Sequence, residues 1–511
     1  MVDIGSRSLS LINFSDIVFK EDQITLDPAA LEKVEASFQF LSHFSTGKLI
    51  YGINTGFGPM AQYKISDENR VQLQYNLIRS HSSGMGNTLN PVLGKAVLVA
   101  RLNSLMQAHS GIHTSLVELL AALINKNIIP CIYEHGGVGA SGDLVQLAHV
   151  ALNLIGEGKV WYESVWQETA AVYKKAGLKP VDIHIREGIA VINGTSAMTG
   201  IGLVNIICAK KLLAWSVMFS SMTNEIVEAY DDHYSKELNI VKHHTGQNYI
   251  AAMMRGMLKD SKMIHSRVEH LYNPANIEYD VFEDKVQEYY SLRCVTQVLG
   301  PIYDTIEHAE RILVEELNSV NDNPVIDHKN KNIFHGGNFH GDYVALEMDK
   351  LKIAITKLSM LAERQLNYLL NDKLNQILPA FVNLGVLGLN FGMQGMQFTA
   401  VSTVAENQTL SYPMYIHSIP NNNDNQDIVS MGCNAALMTK KIIDNSFEVL
   451  TIQAITILQA IDYLKCQEKL SPATHRVYSS LRKIFPKFVE DSPRYEEQEK
   501  VKTWLQKNDP L

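Results

Sequence analysis

The chain has 511 residues, of which 46% are hydrophobic and 19% charged, with 31 glycines and only 15 prolines. This composition is typical of a well-packed, helix-rich globular protein and excludes a disordered chain. The formal net charge of -9 argues against nucleic acids and anionic membranes as partners, because both need clustered basic residues. We therefore expect a small-molecule ligand.

The sequence indicates a cytoplasmic protein. Its five cysteines are scattered and none forms a CxxC pair, so neither a disulfide framework nor a zinc site is predicted. The N-terminus lacks a basic start followed by an unbroken apolar run, so we expect no signal peptide. The most hydrophobic late stretch, Ile442 to Leu464, is interrupted by carboxylate and amide side chains, which argues against a membrane span.

Residues 1–192 alternate short helical patterns with glycine-punctuated loops, and binding and catalytic residues tend to lie on such loops. The apolar spacing predicts a long helix between Ala96 and Leu123. Val181 to Ile185 carries a weak β signal, which indicates only minor sheet. We predict a loop-rich N-terminal domain over this range, with its main loops at 51–60, 81–87 and 135–143.

The third loop contains the triplet Ala140-Ser141-Gly142, preceded by HGGVG and followed by Asp143. A helical pattern with one apolar face runs from Leu144 to Ile155, so the triplet lies at a helix N-terminus. Taken alone, the triplet also fits a simple glycine-rich turn capped by Asp143. A phosphate-binding loop is disfavoured, because the stretch lacks the lysine of a P-loop.

The residue types of the triplet suit a backbone cyclisation. The amide nitrogen of Gly142, which no side chain hinders, can attack the carbonyl carbon of Ala140, and loss of the Ser141 hydroxyl leaves an exocyclic methylene. The product is a five-membered methylidene-imidazolone, which is an electrophile. A helix N-terminus carries about half a positive charge, which stabilises electron density pushed into such a ring.

Long helical patterns dominate residues 193–465. The clearest runs from Asp342 to Leu370, where apolar residues recur at spacings of three and four. A helix of that length spans roughly 42 Å, which indicates an extended bundle and favours assembly with other subunits. Ile442 to Leu464 has a similar pattern, and the charged segment 466–511 is predicted to be peripheral. The fold class we expect is mostly α.

Eight motifs in order along nearly the whole chain resemble the histidine, phenylalanine and tyrosine ammonia-lyase family, which includes related aminomutases. The motifs are YGINTGFG (51–58), RSHSSG (79–84), GGVGASGDLVQLAH (136–149), INGTSAMTG (192–200), VQEYYSLRC (286–294), NDNP (321–324), GGNFHGD (336–342) and NNNDNQDIVSMG (421–432).

The resemblance implies a long-helix bundle of the ammonia-lyase, fumarase/aspartase-like fold, with the loop-rich N-terminal domain carrying the electrophile. It implies a methylidene-imidazolone formed autocatalytically from Ala140, Ser141 and Gly142, with no metal and no external cofactor. It also implies a homotetramer whose active sites draw residues from more than one subunit, acting on a small aromatic amino acid.

Eliminating ammonia from an α-amino acid requires removal of a weakly acidic β-proton and departure of a poor leaving group. Tyr51 matches the base of the family. Its phenol must be acidified by nearby donors, and the glycine-rich loop offers backbone N–H groups. Arg293 is the candidate for the substrate carboxylate, because a guanidinium pairs with it through two hydrogen bonds. Tyr290 lies three residues earlier, on the same face of a helix.

The resemblance assigns further roles. Tyr290 supports the base or the electrophile, and Asn193 hydrogen-bonds the cyclised group or the substrate. The remaining candidates line the substrate site: Gly58, Ser80, His81, Gln287, Phe339, Asn422 and Gln426. His335 and His340 are spaced as metal ligands could be, but no third ligand is indicated, so we expect no metal.

Two segments bear on the identity of the substrate. Ser80-His81 resembles the histidine-specific branch, whereas Gln426 stands where histidine ammonia-lyases carry a glutamate, and a neutral amide gives up a charge-assisted contact to an imidazole. Asn422 resembles the tyrosine branch. With Gln426 neutral, His81 is a candidate partner for a phenolic hydroxyl, and a site that satisfies this hydroxyl rejects phenylalanine.

The predicted reaction is therefore conversion of L-tyrosine to trans-4-coumarate and ammonia, as in bacterial tyrosine ammonia-lyases, which the chain resembles. The first alternative is a histidine ammonia-lyase, which forms urocanate. A tyrosine 2,3-aminomutase would use the same residues but return ammonia to the β-carbon. A non-catalytic relative is disfavoured, because Tyr51, the triplet and Arg293 are all present.

Overall fold

The computed structural model describes residues 1–272 and 285–510. The chain is mostly helical, as predicted, and its α-helices are long in the second half. The α-helices are α1 (Leu11–Phe19), α2 (Pro28–Phe44), α3 (Arg70–His81), α4 (Pro91–Leu105), α5 (Thr114–Asn125), α6 (Leu144–Leu154), α7 (Thr169–Ala176), α8 (Glu187–Ile192), α9 (Ser196–Ile226), α10 (Lys236–Ile240), α11 (Thr245–Met257), α12 (Arg267–Leu271), α13 (Tyr290–Arg293), α14 (Val295–Leu317), α15 (Asp342–Leu370), α16 (Asp372–Asn375), α17 (Gln394–Leu410), α18 (Gly432–Leu464), α19 (Pro472–Ile484) and α20 (Tyr495–Lys507).

The sheets among the described residues are small, as the weak β signals indicated. The parallel pair β1–β2 lies near the N-terminus, and β3–β5, β4–β6–β7 and β8–β9 are antiparallel. The strands are β1 (Val2–Ile4), β2 (Ile24–Leu26), β3 (Met85–Thr88), β4 (Ile129–Pro130), β5 (Tyr133–His135), β6 (Lys159–Tyr162), β7 (Val165–Glu168), β8 (Val325–Asp327) and β9 (Asn332–Phe334).

The chain forms two compact units, and each is discontinuous in sequence because α9, α14, α15 and α18 each contribute to both. The predicted domains were continuous stretches of the chain, with boundaries at 192 and 465. The first unit contains the whole predicted loop-rich range 1–192 and also later stretches of the chain. The first unit comprises Met1–Ile207, Ala309–Asp349 and Pro413–Lys440, and the second comprises Cys208–His308, Lys350–Tyr412 and Lys441–Leu511.

The long helices follow the apolar periodicity closely. Helix α15 has the bounds predicted from the spacing of its apolar residues, and α18 contains the predicted stretch from Ile442 to Leu464. In α15 the positions Leu351, Leu358 and Leu366 are fully buried. Because buried leucines recur along one stripe, the helix is held by packing rather than by intrinsic propensity.

Two local predictions were wrong. The stretch from Ala96 to Leu123 is two helices, because the chain turns through left-handed residues at Ala108 and Gly111, with φ of +63° and +61°. The new helix α5 is capped by His113, whose ring accepts from the Ser115 N–H. Val181 to Ile185 is not a strand but a loop between α7 and α8.

The C-terminal segment 466–511, predicted to be peripheral, packs into the second unit along one face. Leu481, Phe485 and Leu505 are fully buried there. The indole N–H of Trp215 donates to the carbonyl oxygen of Leu505 at 3.0 Å. Most charged residues of the segment are exposed, as on the outer face of an amphipathic helix, whereas Arg482 is largely buried.

Two helices among the described residues, α9 and α18, are long and apolar enough to cross a membrane by length and composition. In α9 72% of the most apolar window is buried inside the protein, and in α18 83%. Such burial is what the core helix of a globular protein shows, because a membrane span presents its apolar surface to lipid.

Candidate active site

The first unit contains a cavity of about 570 Å³ at the end of the Ala-Ser-Gly loop. Most of the predicted site residues of this unit meet there, although they come from distant parts of the chain. The predicted residues that line the cavity are Tyr51, Gly58, His81, Ser141, Asn193, Phe339, Asn422 and Gln426.

Ser141 is held from two sides. Its backbone carbonyl accepts a hydrogen bond from the Asn193 amide at 2.9 Å, and its hydroxyl accepts one from the Gln426 amide at 2.8 Å. The Asn193 carbonyl oxygen is buried without a hydrogen-bond partner, so it remains available to a further group in the cavity. Both oxygen atoms of Ser141 therefore have an amide partner.

Gly142 lies against the backbone of Gly194. Its φ of +69° is in the left-handed region, and a Cβ atom at this position would lie 2.0 Å from the Gly194 carbonyl oxygen. Only glycine satisfies both the conformation and the space. Ala140 is buried directly before the serine. The triplet therefore has a bare amide nitrogen next to a constrained serine, as cyclisation requires.

Asp143 joins the triplet to two helices. It is the N-cap residue of α6 but makes no side-chain bond to that helix, and its carboxylate instead accepts from the Met198 N–H in the first turn of α9 at 2.8 Å. Burial raises the pKa of the Asp143 carboxyl to about 7, against the opposing effect of the Met198 N–H. The predicted helix N-terminus at the triplet is confirmed, and the start of a second helix lies beside it.

Tyr51 lies in the cavity with its hydroxyl bound to its own loop. The Gly58 N–H donates to the phenolic oxygen at 3.0 Å. The Tyr51 ring meets the Phe57 ring edge to face, with centroids 6.1 Å apart. This hydrogen bond fixes the position of the phenolic oxygen at the cavity.

His81 presents one ring nitrogen to the cavity. Its Nδ1 lies 3.0 Å from the Leu77 carbonyl oxygen one turn earlier in α3, so we assign the proton to Nδ1 and leave Nε2 as an acceptor. Burial lowers the pKa of His81, which keeps the ring neutral at neutral pH. Ser80 is exposed, does not line the cavity, and donates to the same Leu77 carbonyl.

A left-handed turn presents Gln426 to the serine. Asn422, Asn423 and Asp424 have φ values of +56°, +52° and +58°, and the turn is closed by paired backbone hydrogen bonds between Asn421 and Gln426. Asparagine and aspartate enter this conformation more readily than other side-chain-bearing residues. The run of asparagines is therefore what allows the turn to form.

The predicted residues Gln287, Tyr290 and Arg293 belong to the second unit. Tyr290 and Arg293 share a face of α13, as their spacing predicted, with the guanidinium carbon 4.7 Å from the ring centroid. Tyr290 is 72% exposed, and the Nε atom of Arg293 is buried without a hydrogen-bond partner. Gln287 and Tyr290 line a groove of about 500 Å³ in that unit.

Within residues 1–272 and 285–510, no group of three histidine, cysteine or carboxylate side chains is arranged to hold a metal ion. His335 lies at the cavity instead. His340 is paired with Asp342, with Nδ1 2.5 Å from the carboxylate oxygen.

Several cavity residues were not predicted from the sequence. Asn323 belongs to the motif NDNP, and His335 directly precedes the motif GGNFHGD, so their positions in or beside these motifs were the available signal. Leu77 lies one helical turn before His81, so its position follows from helical spacing. The other unpredicted residues include Phe57, Met60, Ile189 and Asn425.

Residues 9–483 match the model of the aromatic amino acid lyase family. The chain is 36% identical over 499 residues to a tyrosine 2,3-aminomutase of Chondromyces crocatus, covering 96% of this chain and 94% of that one. It is 36% identical over 508 residues to the histidine ammonia-lyase of Bacillus subtilis, covering 99% and 97%. The crystal structure of a tyrosine aminomutase from Streptomyces globisporus superimposes with a TM-score of 0.95 at 35% identity, covering 99% and 97%.

The chain belongs to the aromatic amino acid lyase family. It is an enzyme of the group that comprises aromatic amino acid ammonia-lyases and aminomutases. The predicted ammonia-lyase fold is confirmed by the structural match.

Replacing Asn423 tests the left-handed turn. Asn423→Gly should keep full activity, because glycine adopts positive φ at no steric cost. Asn423→Val should lower kcat by about tenfold, because a β-branched residue is strained there by roughly 1–2 kcal/mol and displaces Gln426. The measurement is the rate of ammonia release from the aromatic substrate, and equal rates for the two variants would contradict this role of the turn.

Proposed function

We propose that this enzyme converts L-tyrosine to trans-4-coumarate and ammonia. The observation that carries the proposal is a neutral pair in the cavity. His81 offers an unprotonated Nε2, and Gln426 offers an amide where a histidine-specific site would place a carboxylate. A phenolic hydroxyl can donate to Nε2, whereas an imidazolium substrate finds no charged partner in this pair.

The triplet fits a methylidene-imidazolone made from Ala140, Ser141 and Gly142, with no external cofactor. Both Ser141 oxygens are held by amides, and the Gly142 position admits no side chain. When present, this group supplies an electrophile that turns the substrate amine into a better leaving group. The N-termini of α6 and α9 next to the triplet stabilise negative charge that develops there.

Tyr51 acts as the base that removes the β-proton. The Gly58 N–H donates to the phenolic oxygen and holds it at the cavity, where a positioned base is needed. Asn193 fixes the Ser141 carbonyl, and its unpartnered oxygen can accept from the substrate amine. Phe339 contributes the apolar wall for the aromatic ring.

The carboxylate of the substrate pairs with Arg293, beside Tyr290 and Gln287. We propose that the enzyme is a cytoplasmic homotetramer in which another subunit contributes these residues. Tyr290 is largely exposed in one chain, and the second unit also exposes a group of large apolar side chains, each between 62% and 69% accessible. Surfaces of this kind mark protein–protein contacts. The exposed group comprises Val386, Leu387, Leu389, Phe391 and Phe398.

A tyrosine 2,3-aminomutase is the second candidate. It is favoured by relatives of that name, which are 36% and 38% identical to this chain. The two reactions share the base and the electrophile and differ in whether ammonia leaves the cavity or adds to the β-carbon.

Product analysis separates these reactions. We expect purified enzyme supplied with L-tyrosine to release ammonia and trans-4-coumarate in equal amounts, with slower turnover of L-phenylalanine and L-histidine. Chromatography for β-tyrosine identifies the aminomutase reaction. Faster turnover of histidine to urocanate than of tyrosine to coumarate would contradict the substrate assignment.

Tyr51→Phe removes the base and keeps the ring. The variant should fold and assemble as the parent does, but kcat should fall by about 10²-fold or more, the usual contribution of a positioned base. The rate of coumarate formation measures this loss. Tyr63→Phe, at an exposed tyrosine outside the cavity lining, is the control and should leave the rate unchanged. A Tyr51→Phe variant with parental activity would remove Tyr51 from the mechanism.

His81→Leu removes the acceptor for the phenol. It should raise the ratio of kcat/KM for phenylalanine over tyrosine by about 10²-fold, because the unpaired hydroxyl now costs binding energy. Tyr63→Phe, at an exposed tyrosine outside the cavity lining, should keep the parental ratio. In the parent, KM for tyrosine should stay constant as pH falls to the ordinary histidine pKa of ~6.5 and rise only below it, because the pKa of His81 is lowered.

A further inference from the structure

Arg101 is a fully buried arginine behind the wall of the cavity. It lies on α4, and its guanidinium donates to the Ala190 carbonyl, to the Asn321 side-chain oxygen at 3.0 Å and to the Ser196 hydroxyl at 3.4 Å. Ala190 lies near the end of α8 and Ser196 begins α9. One side chain therefore ties together both ends of the loop 193–195.

That loop makes the contacts that hold the triplet. The Asn193 amide donates to the Ser141 carbonyl at 2.9 Å, and the Gly194 carbonyl accepts from the Asp143 N–H at 2.8 Å. A Cβ atom on Gly194 would lie 2.5 Å from Arg101 Nη1. The Gly194 backbone is thus packed between the guanidinium on one side and the Gly142 backbone on the other.

The charge of Arg101 is not explained by an ion pair. The neighbouring buried Arg186 lies 3.1 Å from the Asp322 carboxylate, whereas no carboxylate lies within salt-bridge distance of Arg101 in the described part of the chain. Burial lowers the pKa of Arg101 to about 10, so it stays protonated at neutral pH. The charges of Asp322 and Asp143 oppose this lowering, but they act from beyond salt-bridge distance. Burying a cation without a direct ion pair is costly for the fold, and such groups mark functional sites.

We propose that Arg101 is a positioning residue for the cyclisation of the Ala140-Ser141-Gly142 triplet. Its planar fork fixes the loop 193–195, and the loop in turn presses the Gly142 backbone toward Ala140 and holds the Ser141 carbonyl still. A lysine reaches one of these acceptors but cannot bind them in one plane. This inference rests on the proposed function, because it concerns how the electrophile is made.

The step that Arg101 assists is a double dehydration. The Gly142 nitrogen forms a bond to the Ala140 carbonyl carbon, and the Ala140 oxygen leaves as water with the protons of the Gly142 and Ser141 nitrogens. The Ser141 hydroxyl then leaves as a second water with the Ser141 Cα proton, which creates the methylene. No oxidant or reductant takes part, so correct alignment of the backbone is the main requirement.

Intact-mass measurement of the freshly purified full-length protein tests the proposal. The parent should show the loss of two water molecules per chain. Arg101→Met should form the cyclised product about tenfold more slowly or worse, the effect of losing one charged hydrogen bond. Arg101→Lys should be intermediate. Near-ultraviolet absorbance of the cyclised group provides a second readout that does not depend on catalysis.

Arg482→Met is the matched control. Arg482 is a largely buried arginine of the second unit, which donates to the Gln459 side chain at 2.9 Å and to the Phe485 carbonyl at 3.0 Å. Unlike Arg101, it also forms a direct ion pair, with Asp462 at 2.7 Å. Its loss should lower the melting temperature but leave the mass change complete. A purely structural role of Arg101 predicts the same result for Arg101→Met, which would overturn the proposal.

The mass measurement distinguishes a failure of the proposed function from a failure of the proposed role of Arg101. A parent protein without the mass change refutes the proposed function itself, whereas a cyclised parent with a fully cyclised Arg101→Met refutes only the role of Arg101. If Arg101→Met does not fold, Arg101→Lys and Asn321→Ala replace it, since Asn321 is the acceptor next to Gly194. Cyclisation of both at the parental rate also overturns the proposal.

Discussion

The site depends on one backbone contact, the approach of Gly142 to Gly194. The two backbone segments lie so close that a side chain on Gly142 would overlap the Gly194 carbonyl oxygen. The N–H of the next residue, Asp143, donates to this carbonyl oxygen at 2.8 Å. This contact fixes the reactive loop relative to the end of α8. Tyr51, His81 and Gln426 line the cavity next to this contact.

Buried polar side chains surround this contact and stabilise it. Asp143 caps α9 while its backbone begins α6, so both helices are anchored at the triplet. Arg186 and Asp322 form an ion pair that is fully buried. Removing one partner of such a pair leaves an uncompensated charge, which destabilises strongly. The polar groups around the triplet are therefore held mainly by one another, although the Asn193 side-chain oxygen has no partner.

The sequence allows prediction of those features that depend on local pattern or on motif. Helix α15 was predicted with its bounds because its buried leucines follow a helical period, and most cavity residues of the first unit lie in recognised motifs. The break between α4 and α5 was missed because Ala108, an unremarkable residue type, adopts a left-handed conformation. Asp143 caps a helix at Met198, 55 residues later in the chain, and Arg101 belongs to none of the motifs, so neither role could be predicted. Such contacts are decided by tertiary packing, which leaves no local signal.

The left-handed turn at 422–424 is exposed and separate from the glycine contact. It carries Gln426 to the Ser141 hydroxyl, while Asn193 and Gly194 bind the backbone of the triplet and of Asp143. Substitutions in this exposed turn can therefore change the cavity wall without touching the contact between Gly142 and Gly194. An arrangement of this kind makes substrate preference easy to diversify and the chemistry hard to lose. Relatives named for different amino acids and different reactions share the fold of this chain, as that separation predicts.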